Sequence, residues 1–116
     1  MFRGSGRTDT INVPNSGSLN PTTGLSVQAW VKWLINPASG QYRSSILNKN
    51  ANGQYRLQHN QYNSAFEFAI QNSKNSYVQG TTHPQINTWY HVIGTYDGAL
   101  LKIYVNGILE NTLVAT

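Results

Sequence analysis

The chain has 116 residues, of which 10% are charged and none is cysteine. The absence of cysteine excludes thiol catalysis, cysteine zinc sites and iron–sulfur clusters, and it leaves the redox compartment open. The Lys and Arg residues are scattered rather than clustered, so the formal charge of +4 predicts solubility and attraction to anionic surfaces, not nucleic-acid binding. We expect a single domain over residues 1–116.

No export or membrane signal is visible in the sequence. No stretch approaches the ~20 apolar residues of a membrane-spanning helix. Met1 is followed by Phe2, Arg3 and Gly4 rather than by an apolar signal segment. The polar surface must be built mainly from Asn, Gln, Ser and Thr, which is typical of extracellular, cell-surface or virion-associated proteins. The alternatives are therefore an intracellular protein, a particle-borne protein, or one domain trimmed from an exported parent.

Strand patterns follow one another along the chain with no helical period between them. The segments are Thr10–Val13, Leu25–Ile35, Ser44–Leu47, Gln54–Gln58, Ala65–Gln71, Tyr77–Thr81 and Trp89–Leu109. Because Leu25–Ile35 is apolar on both faces, we expect it to lie centrally and under cover. About nine short strands predict an all-β protein, a two-sheet antiparallel jelly-roll sandwich.

The segment Trp89–Leu109 predicts two tight hairpins. Asp97-Gly98 and Asn106-Gly107 are pairs that readily adopt the positive φ angles of type I′ turns. Between them, Leu101, Ile103 and Val105 alternate with polar residues, as in a half-buried strand. The large aromatic residues on strand positions are expected in the core: Trp30, Trp33, Phe66, Phe68 and Trp89.

Tyrosine and arginine residues in or beside the polar loops are the candidate ligand contacts. A tyrosine ring can stack on the apolar face of a sugar, while arginine offers forked donors to a carboxylate or sulfate. The candidates are Tyr42, Arg43, Arg56, Tyr62 and Tyr77. The alternative is that these tyrosines only cover the ends of the sandwich.

The carboxylates do not form a catalytic pattern. A glycoside hydrolase needs two carboxylates flanking the bond. The chain has only Asp9, Glu67, Asp97 and Glu110, and no two of them occupy positions i and i+2 of one strand. We therefore predict no catalytic residues and no enzyme activity.

The histidines are too dispersed for a readable metal site, and His91 is expected to make a structural hydrogen bond. No cofactor is predicted. A calcium ion could be held by Asp9 together with Asn side chains and carbonyl groups, since calcium accepts mixed oxygen ligands.

Several sequence strings together resemble a known family. They are SLNPTTGLSVQAWVKW, ILNK, GQYRLQ, FEFAI and WYHVIGTYDGALLKIYVNGIL. They are similar to a laminin G-like domain of the concanavalin A-like lectin/glucanase superfamily, and the similarity runs nearly end to end. The resemblance implies a jelly roll of two antiparallel sheets that serves as a non-catalytic, carbohydrate-binding or protein-binding adhesion module.

The sequence also departs from the family pattern. Arg3 and Gln28 stand where the family often has acidic residues, so the family's calcium site is not expected. The chain stops at Thr116, before the closing strand that the family usually has. Its absence should leave a sheet edge with unpaired backbone groups.

Two functions follow from these patterns. The first is a non-enzymatic binding module that recognises a glycan or a partner protein through its loops. The alternative is a structural or assembly subunit, viral or surface-borne, that forms homo-oligomers through the open edge.

Overall fold

The computed structural model describes residues 10–34, 43–49, 54–71 and 76–115. Eight strands lie in these ranges: β1 (Leu25–Lys32), β2 (Arg43–Lys49), β3 (Tyr55–Asn60), β4 (Ala65–Ile70), β5 (Tyr77–Gln79), β6 (Trp89–Tyr96), β7 (Leu100–Val105) and β8 (Ile108–Val114). A short 3₁₀ turn, Gly17–Leu19, precedes β1. None of the described segments is a helix long and apolar enough to cross a membrane.

The strands form two four-stranded antiparallel sheets. The first sheet has the order β1-β6-β7-β8 and the second the order β2-β3-β4-β5. The inner faces of the two sheets pack on each other, with Phe66 and Phe68 of β4 against Val92 of β6 and Ile103 of β7 in one core cluster. The prediction of an all-β, two-sheet jelly-roll sandwich is confirmed.

The Asn106-Gly107 turn has the predicted geometry. The φ angles are 52° at Asn106 and 79° at Gly107, so both residues lie in the left-handed region that a type I′ turn requires. The Asn106 side chain also ties the turn to the neighbouring strand, because its Oδ1 accepts the His91 backbone N–H at 2.9 Å. The β7–β8 hairpin is therefore fixed by two residues and one side-chain contact.

The type I′ prediction for Asp97-Gly98 is wrong. Three residues separate β6 from β7, and of Asp97 and Gly98 only Gly98 has a positive φ, at 97°. The Asp97 carboxylate replaces part of the turn's backbone pairing, because its Oδ1 accepts the N–H groups of Ala99 and Leu100 at 2.9 and 2.7 Å. This is the side-chain-capped turn that aspartate favours.

Two strand predictions also differ from the structure. Thr10–Val13 is not a strand because it pairs with none of the described strands, and its apolar residues Ile11 and Val13 are exposed. The segment that became β1 was expected centrally, yet among the described strands it lies at an edge and pairs only with β6. Its outward-facing residues Ser26, Gln28, Trp30 and Lys32 are all exposed, so this face of β1 is open.

Candidate functional site

The outer face of the second sheet carries two of the sequence-predicted residues in one row. Arg56 of β3 and Tyr77 of β5 both pair with Ala69 of β4, which lies between them. Their neighbours Leu57 and Val78 point into the core, so both side chains face outward. Tyr77 is exposed, whereas Arg56 is half-buried and its Nε has no hydrogen-bond partner.

The other predicted residues are not brought to the same place. Tyr62 lies exposed in the β3–β4 turn, where its backbone N–H donates to Asn60 Oδ1 at 3.0 Å. Arg43 of β2 pairs with Asn60 and so lies near the same end of the sheet. Tyr42, the Arg43 side chain and Asp9 lie outside the described part of the structure. The described candidates therefore lie at two opposite ends of the second sheet.

A closed polar cluster separates these two ends. Glu67 of β4 is only 1% exposed, and its carboxylate accepts hydrogen bonds from Gln58 Nε2 at 2.5 Å, Asn60 Nδ2 at 2.9 Å and Gln79 Nε2 at 2.8 Å. Three neutral amides thus satisfy a buried carboxylate, as burial requires. Because Gln58 and Asn60 are buried too, the cluster holds strands β3, β4 and β5 together rather than presenting a surface.

The two other described carboxylates also make structural hydrogen bonds. Hydrogen bonds from the Leu100 and Ala99 amides hold the pKa of Asp97 below its ordinary value. Glu110 of β8 accepts hydrogen bonds from the N–H groups of Thr81 and Thr82 and from the Thr82 hydroxyl. Glu110 thereby ties the edge strand β8 to the loop that follows β5. In the described ranges, no three His, Asp or Glu side chains cluster as they would around a metal ion.

The histidines have three different environments. His91 Nε2 donates to Gln28 Oε1 at 2.9 Å, which confirms the predicted structural hydrogen bond. His83 Nδ1 donates to the Ser64 carbonyl at 3.0 Å. His59 is fully buried on the inner face of β3, 5.5 Å from the Trp33 ring and 6.4 Å from the Phe66 ring between centroids, and neither of its ring nitrogens has a partner. Burial lowers the pKa of His59 below 6.5.

This burial predicts a pH-dependent stability. The unfolded chain binds a proton at His59 near pH 6.5, whereas the folded protein resists protonation there, so the free energy of unfolding should fall as the pH drops below about 6.5. Urea titrations between about pH 8 and pH 5 measure this slope. His59→Leu should remove most of the slope and His83→Gln should keep it. A wild-type slope that survives in His59→Leu would contradict this assignment.

The outer face of the first sheet carries two exposed tryptophans. Trp30 of β1 is 66% exposed and Trp89 of β6 is 57% exposed. Since Trp30 pairs with His91 and Lys32 pairs with Trp89, the two indoles are diagonal neighbours on one face. We call this surface, formed by Trp30, Trp89, His91 and Lys32, the tryptophan platform.

The prediction that Trp30 and Trp89 lie in the core is wrong. Strand alternation turns Ala29 and Val31 of β1, and Tyr90 and Val92 of β6, toward the second sheet, so both tryptophans point outward. The sequence contained a usable signal, because Trp30 falls on the opposite strand face from Val31 and Trp33. Apolar residues on both faces of β1 therefore do not mean that both faces are covered.

Neighbouring side chains hold the tryptophan platform in place. The Trp30 and His91 rings are stacked, with centroids 4.8 Å apart and planes at 26°, while Gln28 accepts the His91 hydrogen bond described above. Lys32 Nζ lies 5.2 Å from the centroid of the Trp89 ring, a cation–π distance. Trp30 and Trp89 line a shallow, apolar depression of about 320 Å³. Flat apolar surface beside fixed polar groups can take a small ligand with an apolar face.

The family of the chain is shown by a match between its sequence and a protein-family model. A model described as the concanavalin A-like lectin/glucanases superfamily, Laminin_G_3, matches residues 5–116. The chain belongs to this superfamily. The resemblance to a laminin G-like domain is thereby confirmed. Among curated proteins, none matches this laminin G-like chain.

Solved structures show the same fold at low sequence identity. A protein described as carbohydrate-binding from Bacteroides ovatus ATCC 8483 is 20% identical, with a TM-score of 0.62 over 79% of this chain and 26% of its own. The binding domain of botulinum neurotoxin serotype D is 19% identical, with a TM-score of 0.61 over 86% of this chain and 26% of its own. Botulinum neurotoxin type C, whose cell entry depends on interaction with two ganglioside molecules, is 20% identical, with a TM-score of 0.55 over 81% and 24%. The laminin G-like chain spans about a quarter of each of these proteins.

Proposed function

We propose that this chain is a non-enzymatic carbohydrate-binding module and that the tryptophan platform is its ligand-binding surface. The observation that carries the proposal is the exposure of two large indoles, 66% for Trp30 and 57% for Trp89, side by side on a sheet. A folded protein seldom leaves two adjacent tryptophans in water without a use for them, because each removes a large apolar area from water when it is covered.

The chemistry of the platform suits a sugar ring. A pyranose has an apolar face of C–H groups that can lie flat on an indole, and hydroxyl groups at its rim that need hydrogen-bond partners. The Gln28 amide and the His91 ring lie beside Trp30 and supply polar groups at that rim. Because β1 and β6 are paired along eight residue positions, the two indoles are held on a rigid support and little conformational entropy is lost on binding.

The absence of catalysis is part of the proposal. Hydrolysis of a glycosidic bond by the usual route requires two cooperating carboxylates. Glu67 is enclosed by three amides, Asp97 caps a turn and Glu110 binds a loop, so each described carboxylate already has a structural role. The superfamily and the carbohydrate-binding description of the Bacteroides relative also support a binding role. Turnover of chromogenic glycosides that is lost in Glu67→Gln would contradict it.

Substitution of the two tryptophans tests the site. Trp30→Ala and Trp89→Ala should each lower the affinity for glycans found on an array by about ten- to a hundredfold, the cost of losing one central aromatic contact (~1–3 kcal/mol). Because both side chains are exposed, thermal stability should change little. Affinities are measured by calorimetry, and melting temperatures show that the variants are folded.

Matched variants on the second sheet separate this surface from the loop site expected from the sequence. Tyr62→Ala and Tyr77→Ala remove exposed rings of similar size. Both should bind like the unmodified protein. If they lose binding while Trp30→Ala and Trp89→Ala retain it, the ligand lies on the tyrosine face and the platform assignment fails.

A second candidate function, assembly, is favoured by strand β8. Among the described strands, β8 lies at an edge of the first sheet, and its apolar residues Ile108, Leu109 and Val114 are exposed. An exposed apolar edge strand can pair with a strand of another chain. Light scattering that shows a stable oligomer, together with an array that shows no glycan binding, would decide for assembly. A monomer that binds glycans decides for the binding module.

A further inference from the structure

The charge around the tryptophan platform is one-sided. Lys32 is next to Trp89 on the outer face, and Lys102 of β7 lies on the same face further along the sheet, opposite Thr95. The described carboxylates lie elsewhere: Asp97 follows the far end of the eight-residue strand β6, Glu110 binds the loop after β5, and Glu67 belongs to the second sheet. Since Asp97 interacts with Lys102, Lys32 is the cation beside the indoles that has no carboxylate partner within the described residues.

We infer that the ligand of the platform is an acidic sugar, a pyranose that bears a carboxylate or a sulfate. This inference rests on the proposed carbohydrate-binding function and names its ligand class. The sugar ring would lie on the indoles of Trp30 and Trp89, and its anionic group would accept hydrogen bonds from the Lys32 ammonium. Charge-assisted hydrogen bonds of this kind are about twice as strong as neutral ones.

The position of Lys32 also disfavours the other ligands that two tryptophans can bind. Paired indoles are suited to quaternary ammonium groups, but Lys32 Nζ already lies over the Trp89 ring at 5.2 Å and would repel a second cation. A neutral sugar offers the ammonium only hydroxyl acceptors, which bind it more weakly than an anionic oxygen does. Of these three ligands, an anionic sugar satisfies both the indoles and the charge, and the formal charge of +4 adds long-range attraction.

Three hexamers built on the same sugar ring test the contribution of the ligand's negative charge to binding. A hexamer of galacturonic acid carries carboxylates, a sulfated galactose hexamer carries sulfates, and an unmodified galactose hexamer is neutral. At low salt, at least one acidic hexamer should bind at least ten times more tightly than the neutral one, and its affinity should fall as salt rises. Comparison of the two acidic probes shows which anionic group is bound.

Substitution of Lys32 then assigns the selectivity. Lys32→Gln should weaken binding of the acidic hexamer about tenfold and leave binding of the neutral hexamer within about twofold, while Lys32→Arg should retain the acid preference. Lys102→Gln, which removes an equal charge from the far end of the same sheet face, is the matched control and should have little effect. Calorimetry gives the affinities of the wild type and the three variants for the acidic and the neutral hexamer.

Failure of this inference can be told apart from failure of the proposed function. If the neutral hexamer binds as tightly as the acidic ones, or if Lys32→Gln leaves the acid preference intact, the acidic-sugar assignment is overturned, while loss of neutral binding in Trp30→Ala would still support a glycan site. If no hexamer binds, the acidic-sugar assignment is overturned, and the glycan array decides whether the proposed carbohydrate-binding function stands. Binding to phosphatidylserine vesicles with no binding to any hexamer or array glycan would overturn both and indicate a membrane surface as the ligand.

Discussion

Gly94→Ala is expected to destabilise the protein by about 3 kcal/mol, the upper end of the cost of overpacking a core. Gly94 lies in β6 on the inner face of the first sheet, opposite Phe68 of β4 in the second sheet. A Cβ atom at position 94 would overlap Cγ and Cδ2 of the Phe68 ring. Phe68 is fully buried in the core and cannot move aside. The Phe68 ring of the second sheet therefore fills the space that a side chain at Gly94 of the first sheet would occupy.

Urea unfolding measures the loss of stability in Gly94→Ala. Two further variants test whether the contact with Phe68 causes it. Gly17→Ala introduces a Cβ atom with nothing within 4 Å and should change the free energy of unfolding by less than about 0.5 kcal/mol. Phe68→Ala removes the Cγ and Cδ2 atoms that the new methyl group meets. If the two sheets pack as described, Gly94→Ala should cost much less in the Phe68→Ala background than in the wild type. Additive costs would contradict this packing.

Glu67→Leu is expected to lower the free energy of unfolding by about 3–5 kcal/mol, at least as much as Gly94→Ala. The reason is that it leaves buried amide donors without an acceptor. The affected donors are Gln58, Asn60 and Gln79, which come from β3 and β5 on either side of β4. Glu67→Gln keeps the shape but points a new N–H group at existing donors. It should therefore cost less than leucine, about 1–3 kcal/mol.

Thermal unfolding followed by circular dichroism ranks these variants. Tyr77→Phe, on the same sheet face but outside the polar cluster, is the matched control and should unfold like the wild type. A Glu67→Leu variant as stable as the wild type would show that the carboxylate does not organise the second sheet. It would also leave Glu67 without the structural role assigned to it.

The strands and the hairpins were largely predictable from the sequence, because their causes are local. Period-two alternation marks β7 within a few residues, and Asn106-Gly107 encodes its turn through positive φ angles. The turn at Asp97 was less predictable, since the carboxylate replaces backbone hydrogen bonds and changes the loop from two residues to three.

The proposed binding surface was not predicted from the sequence, because exposure is a long-range property. Trp30 and Trp89 are 59 positions apart in the sequence, and only the β1–β6 pairing makes them neighbours. The same applies to Glu67, which appeared isolated between two phenylalanines until strand pairing placed Gln58 and Gln79 beside it. Alternation divides a strand into two faces, but it does not say which of two apolar faces is covered.

The indole N–H signals of nitrogen-labelled protein test the central claim most directly. The chain has three tryptophans: Trp30 and Trp89 form the exposed platform, while Trp33 packs against the core and serves as an internal control. During titration with the galacturonic acid hexamer, the signals of Trp30 and Trp89 should shift together in a saturable manner while that of Trp33 stays in place. Saturable binding that leaves the Trp30 and Trp89 signals unmoved would contradict the account.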